Sequence, residues 1–118
     1  MIVQSVDFTA AFNAANSVSY DISQYDFVIA QFVTLTGSTA FRATSDDTGS
    51  STLFGAGDAS TATNFYTVQG VNLETGSGAT SLASGSGAFR FERVGKFLNF
   101  NKTSVAATKV ILHLMKIA

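Results

Sequence analysis

Residues 17–22, Ser-Val-Ser-Tyr-Asp-Ile, alternate strictly between polar and apolar side chains, with Val18, Tyr20 and Ile22 on one side. A period of two marks a half-buried strand, because successive side chains in extended backbone point to opposite faces. Residues 26–35, Asp-Phe-Val-Ile-Ala-Gln-Phe-Val-Thr-Leu, are apolar or β-branched almost without a break. They predict a central strand, bounded by Ser23-Gln24 before it and Thr36-Gly37-Ser38 after it. Residues 39–45 alternate again, with Thr39, Phe41 and Ala43 separated by Ala40, Arg42 and Thr44. Residues 64–74 return to strand character, and Gly70 inside them predicts a bulge or a close backbone approach. Phe89 and Phe91 then alternate with Arg90 and Glu92, and after a turn at Gly95 comes Phe97-Leu98-Asn99-Phe100.

Two segments allow two readings. In residues 7–16, Asp7 precedes Phe8, Ala11, Phe12 and Ala15, a spacing that fits a short helix with an aspartate cap or a strand end followed by a turn. In residues 105–117, Lys109, His113 and Lys116 would share one face of a helix. As a strand, Val110, Leu112 and Leu114 oppose Ile111, His113, Met115 and Ile117, so both faces are largely apolar. The β-branched run and its surroundings favour the strand. Residues 46–63 are Ser, Thr, Gly, Ala and Asp around Leu53-Phe54, and a loop this long is commonly functional. Residues 75–87 have the composition of a flexible connector. Seven or eight strands with polar turns and no long helix predict an all-β fold, an antiparallel β-sandwich resembling a jelly roll. The expected organisation is one domain over 1–118, with an N-terminal arm over 1–15.

Composition narrows the function. A chain of 118 residues can bury about two-thirds of its unfolded surface without staples. Charged residues make up 13%, where about 25% is usual, which suits a subunit partly covered by neighbours. Proline is absent, although edge strands often use it as protection, and this too points to edges covered by partner chains. Cysteine is absent, which excludes disulfides and thiolate metal sites. The start Met1-Ile2-Val3-Gln4-Ser5-Val6-Asp7 has no basic region or apolar run, and no stretch approaches the roughly 18 apolar residues of a membrane span. The expectation is a soluble chain made in the cytoplasm, with no membrane partner. Residues 1–89 hold Arg42 against seven acids (Asp7, Asp21, Asp26, Asp46, Asp47, Asp58 and Glu74), a balance of −6. Residues 90–118 hold six cations against Glu92, a balance of +5. Two interleaved halves would cancel these charges locally, and six spread cations are few for a phosphate footprint, so no nucleic acid is expected.

Catalytic chemistry finds no foothold. The one histidine, His113, lies in an apolar run with no base or carboxylate nearby, and reads as a core or interface residue. Asp46 and Asp47 are adjacent in a turn where aspartates bond their own backbone, and no alternating-aspartate spacing supports a cation in the 46–63 loop. The Gly-rich residues 75–87 lack the Gly-Lys-Ser/Thr ending of a phosphate loop. The cations interleaved with Phe89, Phe91, Phe97 and Phe100 loosely fit a single-strand nucleic-acid platform, but aromatic residues alternating in strands more often fill a core. No catalytic, cofactor or metal residue is expected.

The block Thr36-Gly37-Ser38-Thr39-Ala40-Phe41-Arg42-Ala43-Thr44-Ser45-Asp46-Asp47, preceded by the apolar strand Phe27 to Leu35, resembles the Gly-Thr-x-x-Phe-x-x-Ser-x-Asp-Gly block of small β-sandwich virion structural proteins of tailed bacteriophages. Val94 to Phe100 and Thr108 to Ile117 are similar to later strands of the same family. The resemblance implies a non-enzymatic subunit on the virion: a capsid decoration or cement protein first, or else a fibre or tail module. It would bind the major capsid protein or other virion proteins and form a homo-oligomer. The expected contact residues are Ile2, Val6, Phe8, Leu53, Phe54, Phe65 and Tyr66, with filling of the protein's own core as their other use. The alternative is a carbohydrate- or receptor-binding module of a fibre or tail, using Tyr20, Tyr25 and Tyr66 with Asp46 or Asp58.

Overall fold

A computed structural model of the chain describes residues 2–46, 64–93 and 95–117. The elements are β1 (Ile2–Asp7), α1 (Thr9–Ala14), β2 (Ser17–Asp21), β3 (Phe27–Leu35), β4 (Thr39–Thr44), β5 (Tyr66–Thr67), β6 (Gly70–Asn72), β7 (Gly78–Ala79), β8 (Ser81–Leu82), β9 (Gly85–Glu92), β10 (Phe97–Asn101) and β11 (Ala107–Lys116). A six-stranded sheet runs β1-β11-β3-β9-β6-β7, and a five-stranded sheet runs β2-β10-β4-β5 with β8 also on β4. Every pairing is antiparallel.

The pairings nest. β4 pairs β5, β3 pairs β9, β2 pairs β10 and β1 pairs β11, so the chain forms one long ribbon folded back on itself. Two further pairings, β11 with β3 and β10 with β4, roll that ribbon into two facing sheets. Strands alternate between the sheets in the order of a jelly roll. The eight strands of this framework meet the expected number, and β6, β7 and β8 are short additions between β5 and β9.

Alternation along each strand builds the core. Val28, Ala30 and Phe32 of β3, Phe89 and Phe91 of β9, and Val110, Leu112 and Leu114 of β11 are buried from one sheet. Val18, Phe41, Ala43, Leu98 and Phe100 are buried from the other. The Phe41 ring sits edge-on to Phe91 at 4.9 Å, and Phe32 meets Phe100 at 5.4 Å with planes at 90°. These are favoured arrangements of ring quadrupoles, added to the roughly 1.5–3 kcal/mol of each fully buried large apolar side chain.

Several expectations need correction. Residues 2–15, expected as an N-terminal arm, are docked on the sandwich: β1 is an edge strand of the larger sheet, and α1 packs against β11 with Ala11 and Phe12 in the core. The aspartate does not cap the helix directly. Phe8 is the N-cap, and Asp7 Oδ1, one residue earlier, accepts from Thr9 N at 3.1 Å and Thr9 Oγ1 at 2.6 Å. Residues 64–74 form two strands, β5 and β6, in different sheets, because the chain crosses between layers there with Val68 buried. Residues 75–87 are more than a connector. They hold β7, β8 and the start of β9, where Gly85 and Gly87 pair with β3 through backbone alone. The last segment needs no correction: it is a strand, as its β-branched run favoured, and β11 is paired on both sides.

Candidate functional site

What the larger sheet shows on its outer surface follows from the same alternation. β11 turns Ile111, His113 and Met115 outward, and β3 turns Ile29, Gln31 and Val33 outward. The register sets them in rows: Val3, Met115 and Phe27; then Ser5, His113, Ile29, Arg90 and Val71; then Asp7, Ile111, Gln31 and Ala88. Ile29, Val33, Ile111 and Met115 are half-buried, whereas Val3 is 55% and Val71 41% exposed. The solvent face of an antiparallel sheet ordinarily carries polar side chains. This one carries a broad apolar strip.

A polar track crosses the strip. Ser5 Oγ lies 3.0 Å from His113 Nδ1, and His113 Nε2 lies 3.4 Å from Gln31 Oε1. With Nε2 protonated, the imidazole donates to Gln31 and accepts from the Ser5 hydroxyl. A serine beside a histidine invites comparison with a nucleophile and its base. The surroundings do not support that chemistry: Ile29, Ile111 and Met115 flank the imidazole, and the N–H groups of a sheet lie in its plane, so none is aimed at an oxyanion above it. Nearby, the Arg90 guanidinium stacks 3.9 Å from the Phe27 ring centroid and bonds Glu92. At one end, where β3 bulges, an open cleft of about 210 Å³ is lined by Gln31, Val33, Glu74, Ser86 and Ala88.

On the outer side of the smaller sheet, polar side chains bond one another. Asn99 is fully buried; its Nδ2 donates to Ser17 Oγ, Val18 O and Ser19 Oγ, and its Oδ1 accepts from Arg42 Nε at 3.0 Å. The Arg42 guanidinium lies over the Phe65 ring at 4.3 Å, and its pKa is lowered by desolvation. Lys102 is buried too. Its ammonium donates to Ala15 O and lies over Phe12, and desolvation lowers its pKa.

The expected contact residues scatter. Phe8 is 2% exposed and belongs to the core, edge-on to Tyr20, so it cannot touch a partner. Val6 is half-buried against the core, Phe65 is covered by Arg42, and Tyr66 remains 45% exposed. Ile2 opens β1, where its backbone pairs with Lys116. Leu53, Phe54, Asp47 and Asp58 lie outside the described residues, as does most of the 46–63 loop. Tyr20 packs inward and Tyr25 donates to Gln4 Oε1, so the tyrosines form no common platform. Asp46 accepts from Asn64 Nδ2 at 2.6 Å. Among the described residues, no three His, Asp or Glu side chains cluster as metal ligands, and no helix is long and apolar enough to cross a membrane. The cations stay dispersed, with Arg90 and Lys109 on the larger sheet, Arg42 on the smaller and Lys102 buried. Ile29, Val33, Ile111 and Met115 were not among the expected contact residues, although the largely apolar runs over 27–35 and 110–117 signalled two apolar faces.

No protein-family model matches the chain, and no curated protein is significantly similar to it in sequence. Among solved structures there is a match. One such structure is that of the SPBc2 prophage-derived protein YomS. The two superpose with a TM-score of 0.63 over 96% of this chain and 93% of that one, at 16% identity. At such identity the shared property is the fold.

Proposed function

We propose that the protein is a non-enzymatic structural protein of a tailed-phage particle, a decoration or cement subunit that binds the major capsid protein. The outward apolar strip of Val3, Ile29, Val33, Ile111 and Met115 carries this reading. Covering such a strip gains roughly 25 cal/mol per Å² of apolar area, and repetition over a particle multiplies a weak single contact. The fold shared with a prophage-derived protein and the Thr36–Asp47 block support a phage origin. The chain would be made in the host cytoplasm and reside on the virion.

Purified protein added to particles lacking it should co-sediment with them and raise their melting temperature. Ile111→Lys should abolish both effects, and circular dichroism with a melt of the isolated variant shows that it still folds. Absence of binding at saturating protein defeats the reading. The cleft beside Glu74 and Ser86 favours one other use, a carbohydrate- or receptor-binding module, and a glycan-array screen decides it. At about 210 Å³ the cleft falls below the roughly 300 Å³ where small-molecule sites begin, so particle contact stands first.

A further inference from the structure

Among the described residues nothing pairs with the outer edge of the larger sheet at β1, and that edge carries none of the usual protection. Natural edges are blunted by lysine, proline, bulges or shortness. β1 has six residues in unbroken register with β11 and carries no lysine, proline or bulge. Its hydrogen-bond phase is fixed at one end: Phe8 N donates to Val110 O at 2.8 Å, and Val110 N turns back to Thr9 Oγ1. An antiparallel ladder alternates, so Val6, Gln4 and Ile2 bond toward β11. Val3, Ser5 and Asp7 therefore aim their N–H and C=O groups away from the sheet. Among the described residues none of these groups has a backbone partner, and the side chains of all three are exposed.

We propose that a second copy of this chain occupies the edge, β1 pairing antiparallel with β1 about a two-fold axis through Ser5. The edge is self-complementary in this register. Ser5 stands opposite Ser5 of the second copy and Val3 opposite Asp7, so all three outward residues exchange both bonds. No like charges face each other, because Asp7 is the one charged residue of β1. The axis is perpendicular to the sheet, so the outer surfaces become coplanar and the Val3–Met115 row of one copy adjoins the Asp7–Ile111 row of the other. The far edge, β7, is two residues long, so pairing stops at two copies instead of running on as a filament. A single strand seam is small beside a standard interface of about 1,600 Å², so the dimer is expected to dissociate on dilution. This pairing is independent of particle binding and is tested on the isolated protein.

Sedimentation velocity over a concentration series should show a reversible dimer. Ser5→Pro should abolish it, and the substitution spares the fold because the Ser5 N–H lies outside the β11 ladder and proline is tolerated on edges. Ser5→Lys, which keeps the N–H but sets like charges opposite each other, should abolish the dimer as well. The chain has no cysteine, so Ser5→Cys can cross-link only between copies. It should form disulfide dimers under mild oxidation at least tenfold faster than Thr75→Cys at the opposite end of the sheet. A monomeric wild type at every concentration, a dimer that survives in folded Ser5→Lys, or equal cross-linking of the two cysteine variants would each overturn the proposal.

Discussion

At Gly70 the backbone runs so close to β9 that an added Cβ would lie 2.6 Å from Phe91 Cε1 and 3.1 Å from Phe89 Cβ. The Phe91 ring cannot swing aside, because it is held edge-on against Phe41. Gly70→Ala should therefore overpack the core and cost about 1–3 kcal/mol, read as a lower urea midpoint at unchanged slope. Asp7 offers a test by pH. The Thr9 hydroxyl, and then the Thr9 N–H, hold its carboxyl below the ordinary 3.8. The folded value lies below the unfolded one, so the stabilisation is complete above pH 3.8 and disappears as pH falls through the folded value. Asp7→Ala should melt lower than wild type at neutral pH, and the gap should narrow in melts below pH 3.8; a gap unchanged down to about pH 2 would refute this account. Gly70 was legible in the sequence because a glycine inside a strand pattern has few other uses. Asp7 was legible as a helix-start signal, but spacing alone could not tell the cap from the residue before it.

At the scale of elements, apolar runs announced β3 and β11, and strict alternation announced β2 and β4. The bulge in β3 was hidden. Its residue Thr34 has φ 51°, and the β3–β9 register shifts between Phe32 and Leu35. Threonine is a strand former, so nothing in its identity marks a left-handed backbone. A β-branched residue at positive φ is strained by about 1–2 kcal/mol. The bond from Thr34 N to Ser86 Oγ, at 3.0 Å, does not need the threonine side chain. Thr34→Gly should thus raise stability by up to about 1 kcal/mol, measured as a higher denaturation midpoint, after glycine's entropy cost is subtracted. β9 was half hidden for the opposite reason. Gly85, Ser86 and Gly87 have the composition of a linker, yet their backbone groups complete a ladder that side chains do not advertise.

For the whole molecule, alternation told which side chains face inward but not which strands are neighbours, since a period of two is the same in any sheet. The layered β architecture could be read; the nested order of pairing could not, because it depends on contacts far apart in sequence. The outer apolar strip was visible as doubly apolar strands and gained meaning once β3 and β11 proved adjacent at the centre of one sheet. That nested order also has a consequence for biosynthesis. Of the described strands, β1 is synthesised before all the others, yet its neighbour β11 is synthesised after them. Until residues 107–116 clear the exit tunnel, β1 and β3 both lack the strand that joins them. Closing so long a loop is slow, so nascent or truncated chains present two unpaired apolar edges to chaperones and to one another.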